Sequence, residues 1–71
     1  MRNKYLIQLM KDSSMEEIRE ILSGWEIILG FPEYQIYQSE DYIIHLDHYN
    51  GIKKLYNGIH LIGSIISEEG I

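Results

Sequence analysis

Hydrophobic and polar positions change their period several times along the chain, and each change marks an element. From Lys4 to Met10 they alternate, with Tyr5, Ile7 and Leu9 on one face and Leu6, Gln8 and Met10 on the other. A period of two predicts a strand. Lys11-Asp12-Ser13 is a polar turn. Met15, Ile18, Leu22 and Trp25 then recur at spacings of three and four, which predicts a helix. Glu16, Glu17, Arg19 and Glu20 take its wet side. Ser14 stands three residues before Glu17, the spacing of a capping box. In that motif the hydroxyl accepts from a free helical N–H and the glutamate reaches back. Acids in the first turn also suit the positive helix end. Gly24 is the predicted stop.

Glu26 to Gly30 and Tyr34 to Gln38 both read as extended, separated by Phe31-Pro32. Pro32 has no N–H to give to a ladder, so a bent edge strand or a strand plus a loop is expected there. Ser39-Glu40 is a polar corner. Asp41 to Leu46 is the next strand, its Tyr42, Ile44 and Leu46 alternating with Ile43 and His45. Asp47 is placed to cap a second helix, in which Ile52, Leu55, Ile59 and Ile62 repeat at three, four and three. Gly51 and Gly58 would each weaken that helix by about 1 kcal/mol relative to alanine. Gly63 would end it. Ser64-Ile65-Ile66-Ser67 is the predicted last strand, and Glu68-Glu69-Gly70-Ile71 the tail.

The resulting order, β-α-β-β-α-β, predicts an α+β, ferredoxin-like fold over a single domain, 1–71. Its four-stranded antiparallel sheet would carry both helices on one face. The other face would lack cover, and in such domains function resides in a site of that kind rather than in the fold itself.

Seventy-one residues make one domain. A chain of this size buries only about 60% of the surface its unfolded form exposes, so marginal stability is expected. No cysteine is present to staple it or to ligate a metal as thiolate. With 45% apolar residues, the composition is too hydrophobic for a disordered tail. No apolar run approaches membrane-spanning length, and Met1-Arg2-Asn3-Lys4 is followed too soon by polar residues to open a secretory signal. The sequence as it stands reads as cytoplasmic, or as secreted with a protease if a signal segment has been removed. Eleven acids against six Lys and Arg give a formal charge of −5. That balance disfavours nucleic-acid and anionic-membrane partners.

Candidate chemistry is sparse. His45, His48 and His60 invite a metal site, but zinc wants three or four convergent ligands, and these histidines are expected to be surface or half-buried side chains. Ser64 lacks the glycine-flanked elbow of a catalytic serine, and Ser14 is accounted for as a cap. Glu16-Glu17, Glu40-Asp41 and Glu68-Glu69 are sequence neighbours rather than acids converging on a cleft. The six glycines are scattered, so no phosphate loop is formed. Six tyrosines raise an RNA-binding sheet, yet Asp41-Tyr42-Ile43-Ile44-His45-Leu46 lacks the basic, glycine-containing aromatic pattern that such a strand carries. The tyrosines suit a sheet or an interface. No catalytic, cofactor-binding or metal residue is assigned, and no enzyme activity is expected.

Tyr5-Leu6-Ile7-Gln8-Leu9-Met10-Lys11-Asp12-Ser13-Ser14, followed by Met15-Glu16-Glu17-Ile18, resembles the opening of subtilisin-type propeptides of the peptidase-inhibitor I9 family. Ile52-Lys53-Lys54-Leu55 and Ile65-Ile66-Ser67-Glu68-Glu69-Gly70-Ile71 resemble the second helix, last strand and acidic exit of that family. The resemblance spans nearly the whole chain in order and length. It departs where Ser67 replaces an acid the family often carries, and where the chain stops before residues that would fill a protease's substrate pockets. It implies a ferredoxin-like fold whose bare sheet packs on two surface helices of the protease. Glu68 and Glu69 would cap those helices, and Gly70 and Ile71 would start the inhibitory tail.

The expected function is therefore a propeptide-like chaperone and inhibitor of a subtilisin-type serine protease. Its protein-binding residues would be Tyr34, Ile36, Tyr42, Ile44, Glu68, Glu69, Gly70 and Ile71. Two alternatives stand beside it. An ACT-like regulatory module would bind a small ligand and pair its sheets into a homodimer. A small acidic interaction protein, such as those of phage, would occupy a basic host surface.

Overall fold

A computed structural model describes residues 2–66. These residues form two helices, α1 (Arg2–Asp12) and α2 (Met15–Ile21), with a 3-10 turn at Leu22–Gly24. Five strands follow: β1 (Glu26–Phe31), β2 (Tyr34–Ser39), β3 (Tyr42–Asp47), β4 (Ile52–Asn57) and β5 (His60–Ile66). They pair antiparallel in the order β1-β2-β3-β4-β5, each with its sequence neighbour. This meander replaces the expected ferredoxin-like β-α-β-β-α-β order and its four-stranded sheet. Both helices precede all the strands.

Two elements account for the correction. The segment Lys4 to Met10 is helix, not strand. Its apolar residues also fit helical spacing, and Leu6 and Met10, four apart, are the pair buried against the sheet, with Ile7 and Leu9 packed beside them. Short apolar runs satisfy both periods, and here packing on a sheet selects the helix. The second helix is instead the β4–β5 hairpin. Lys53 and Leu55 are buried while Ile52, Lys54 and Tyr56 are half-buried, a strict alternation. Asn57 pairs with His60 across Gly58-Ile59, and Gly58 sits at φ 61°. Glycine with positive φ at the first central position is what a two-residue hairpin turn needs.

The capping box at Ser14 forms as expected. Glu17 N–H donates to Ser14 Oγ at 3.1 Å, and Ser14 N–H donates to Glu17 Oε1 at 2.8 Å. These bonds hold the Glu17 carboxyl below its usual range.

The core lies between the helices and one face of the sheet. Leu6, Met10, Met15, Ile18 and Leu22 from the helical part meet Tyr37, Ile44, Leu46 and Leu55 from the strands. Lys53 is buried on this same face, 4% exposed. Its Nζ donates to Met10 O at 3.0 Å and to Ser13 O. These are carbonyls at and just past the C-terminal end of α1, where a cation is favoured and where backbone acceptors lack helical donors. Gln35 is the other buried polar residue. Its amide donates to the Phe31 and Pro32 carbonyls, and its Oε1 accepts from His48 Nε2. The β1–β2 turn is thereby tied to the β3–β4 loop, as it also is by His48 N–H donating to Glu33 O at 2.9 Å.

Candidate functional site

Strand alternation, shifted by one residue in β5 where the register with β4 breaks between Leu55 and Tyr56, sends alternate residues to the face opposite the helices. Cross-strand register lines these residues into rows: Ile36, His45, Lys54 and Ser64 through the middle, Tyr34, Asp47, Ile52 and Ile66 to one side, and Gln38, Ile43, Tyr56 and Leu61 to the other. Both helices sit on the other side, and no described segment roofs this face. It is predominantly aliphatic and aromatic, with Leu61 53% and Ile66 80% exposed. Natural monomers seldom leave contiguous apolar area of this kind open unless it meets a partner.

A polar group stands at its centre. Tyr34 Oη lies 2.9 Å from His45 Nδ1, with the rings edge-on at 86°. The Tyr56 ring is 5.1 Å from the imidazole on its other side. Burial raises the Tyr34 hydroxyl's pKa, and nearby Asp47 and Tyr56 add to the shift. Burial lowers that of His45, reinforced by the Lys54 charge. Which of the two atoms donates depends on the imidazole tautomer. A bond from Tyr34 to Nδ1 places the imidazole proton on Nε2.

Lys54 faces His45 directly across the β3–β4 register. Among the described residues it makes no salt bridge. Asp47 is near enough for Lys54 to help lower its pKa, but the larger cause is Asn50, whose backbone N–H donates to Oδ1 at 3.0 Å. The Asn50 side-chain amide donates to Oδ2 at 2.8 Å. Asp47 is therefore occupied in closing the β3–β4 loop.

Of the residues the sequence nominated, Tyr34 and Ile36 lie on this bare face. Tyr42 and Ile44 do not. Ile44 is fully buried under the helices, and the Tyr42 hydroxyl donates to Asn3 Oδ1 at 2.9 Å, beneath the Arg2 guanidinium. They belong to the core side, away from the bare face. Glu68, Glu69, Gly70 and Ile71 lie outside the described residues. Sequence reasoning missed Ile43, His45, Lys54 and Tyr56 as surface partners of Tyr34 and Ile36. The alternation within β3 already separated Ile43 and His45 from Ile44, but parity does not say which set is inside. For Lys54 and Tyr56 the signal was lost once β4 was taken as helix.

Two grooves lie on the helix side beside β1. One, of about 400 Å³, is lined by Glu16, Arg19, Glu20, Ser23, Ile27 and Tyr37. The other, of about 350 Å³, shares Arg19, Ile27 and Tyr37 and adds Phe31, Pro32 and Gln35. Arg19 Nη1 donates to Glu16 Oε1 at 3.3 Å. This is a solvated ion pair at a groove mouth, not an acid and a base with separated pKa values. Among the described residues no three His, Asp or Glu side chains converge to hold a metal ion. Comparison of the chain with protein-family models, with curated proteins and with solved structures finds no match in any of the three.

Proposed function

We propose that this chain is a protein-docking module that works through the bare face of its sheet, without chemistry of its own. The observation that carries this is a five-stranded sheet with both helices on one side and an aliphatic and aromatic surface open on the other. Five strands about 4.8 Å apart and six residues long at about 3.3 Å each give a flat footprint on the order of 500 Å². Two such surfaces in contact reach the roughly 1,000 Å² that a specific interface requires. Neither groove described above lies on this face, whereas small ligands favour concave sites, and this supports a macromolecular partner.

The ferredoxin-like order that implied a subtilisin-type partner is absent, and the acidic exit lies outside the described residues. A protease partner therefore rests on the sequence resemblance alone. Slowing of subtilisin hydrolysis by the purified chain is a direct assay of that resemblance.

The docking face is tested by placing a benzophenone side chain at Tyr56 and, separately, at Glu20 on the helix side, and irradiating in the native host. Adducts are expected from position 56 and not from position 20. Ile36→Glu should abolish the adduct while leaving the circular dichroism and the unfolding midpoint unchanged. Equal adducts from both positions, or an adduct indifferent to Ile36→Glu, would overturn the assignment.

A further inference from the structure

Resting on that docking face, the geometry points to the chemistry of the partner: we infer that it presents an Asp or Glu carboxylate, set in an apolar surface, to His45 and Lys54. These two residues are direct cross-strand neighbours at the middle of the face. Side chains so paired have Cβ atoms about 5 Å apart, close enough for both to reach one carboxylate. In the tautomer that accepts from Tyr34 Oη at Nδ1, the imidazole offers Nε2–H, and Lys54 offers an ammonium. Both are donors, and no carboxylate of the described residues pairs with Lys54.

The surroundings raise the stakes of that group. Ile36 flanks His45 on β2, and Ile43 and Ile52 flank the pair within β3 and β4. A partner that covered these apolar residues would also strip water from Lys54. An unpaired buried cation is costly, whereas one paired with a carboxylate and hydrogen-bonded is tolerated. An apolar partner lacking an acid is thus rejected and one bearing it is selected.

On the sheet face of a second copy, the acids among the described residues are already committed or remote. Asp47 is held by Asn50 at both oxygens, and Glu26 sits at the outer end of edge strand β1. Self-pairing of two such faces therefore does not supply the carboxylate, and the partner inferred is a different protein. The chain's own charge of −5 runs against anions in general, so a preference for one on this face must be local.

The local preference is measurable with matched amphiphiles. Decanoate and decyltrimethylammonium share an apolar tail and differ in head-group sign. Each is titrated into the full chain below its micelle concentration, near physiological salt, and followed by two-dimensional amide NMR. Decanoate is expected to shift amides of the β2–β4 rows about tenfold more tightly than the ammonium compound. Lys54→Gln should reduce it to the level of the ammonium compound, with the rest of the spectrum retained. Decanoate binding should also raise the His45 pKa, read from its ring carbon-proton signals. Equal binding of both amphiphiles to the face, or decanoate binding unchanged in Lys54→Gln, would overturn the carboxylate inference and leave the docking face standing. If neither perturbs the face, or if Ile36→Glu leaves both unaffected, the docking face falls as well.

Discussion

Two adjacent lysines show how much depends on a single step along a strand. Lys53 and Lys54 carry the same charge, yet one is 4% exposed and turned to the carbonyls around the end of α1 while the other lies on the bare face. Replacing Lys53 with Met keeps most of the aliphatic stem but leaves Met10 O and Ser13 O without their ammonium donor. A buried acceptor left unpaired costs about 1–3 kcal/mol. Lys53→Met should lower the urea midpoint accordingly, whereas Lys54→Met should change stability by less than about 0.5 kcal/mol. Comparable losses in both variants would show that the ammonium of Lys53 is not holding the helix end. A similar contrast separates Tyr42 from Tyr34. The first anchors α1 through Asn3, and the second stays with the open face through His45.

Among the elements, α2 was the most legible in the sequence because its signals agree. The capping box, the acids of the first turn and the stripe of Met15, Ile18, Leu22 and Trp25 all specify a helix that starts at Met15; its α part ends at Ile21, and a 3-10 turn carries Leu22 to the predicted stop at Gly24. Ser14→Ala removes the side-chain acceptor for Glu17 N–H and should cost about 1 kcal/mol in chemical denaturation. The same change should weaken the acid dependence that Glu17 brings. Its carboxyl titrates below its ordinary value in the folded chain, so its contribution is present above that value and lost as pH falls through the folded pKa. A midpoint-versus-pH slope unchanged by Ser14→Ala would contradict the assignment.

The elements that misled are those where two periods coincide. In α1, alternation over Tyr5 to Met10 coexists with the four-residue spacing of Leu6 and Met10. In the β4–β5 hairpin, Ile52, Leu55, Ile59 and Ile62 mimic a helical stripe, yet Ile59 sits in the turn and is 90% exposed. Asn57-Gly58 was the local sign against a helix. The positive φ of Gly58 shows its use as a turn.

At the scale of the whole molecule, the two faces of the sheet set both stability and pH response. His45 lies on the open face with Tyr34, Tyr56, Lys54 and Asp47 around it, and its folded pKa is depressed. The unfolded chain therefore takes up this proton first as pH falls below the ordinary histidine value. Stability should begin to drop between about pH 7 and about pH 5. It should drop again at lower pH as Glu17 and Asp47, both held below their ordinary values, are protonated. His45→Gln should flatten the first stage and spare the second, as read from thermal midpoints across the range. A first stage that survives in the variant would assign it elsewhere.

The sequence by itself determined the capped helix, the strands from β1 to β3, and the acidic, cysteine-free character of the chain. It also led to the idea of a sheet with one uncovered face. These follow from local chemistry, because capping, turn formation and period are decided within a few residues. Tertiary structure alone decided that the first segment is a helix and the last two are a hairpin, and therefore that the strands run as a meander. It also decided which parity of β3 and β4 is inside, burying Ile44 and Lys53 and leaving His45 and Lys54 open. Both choices turn on what the residues pack against, a quantity that no short window of sequence contains.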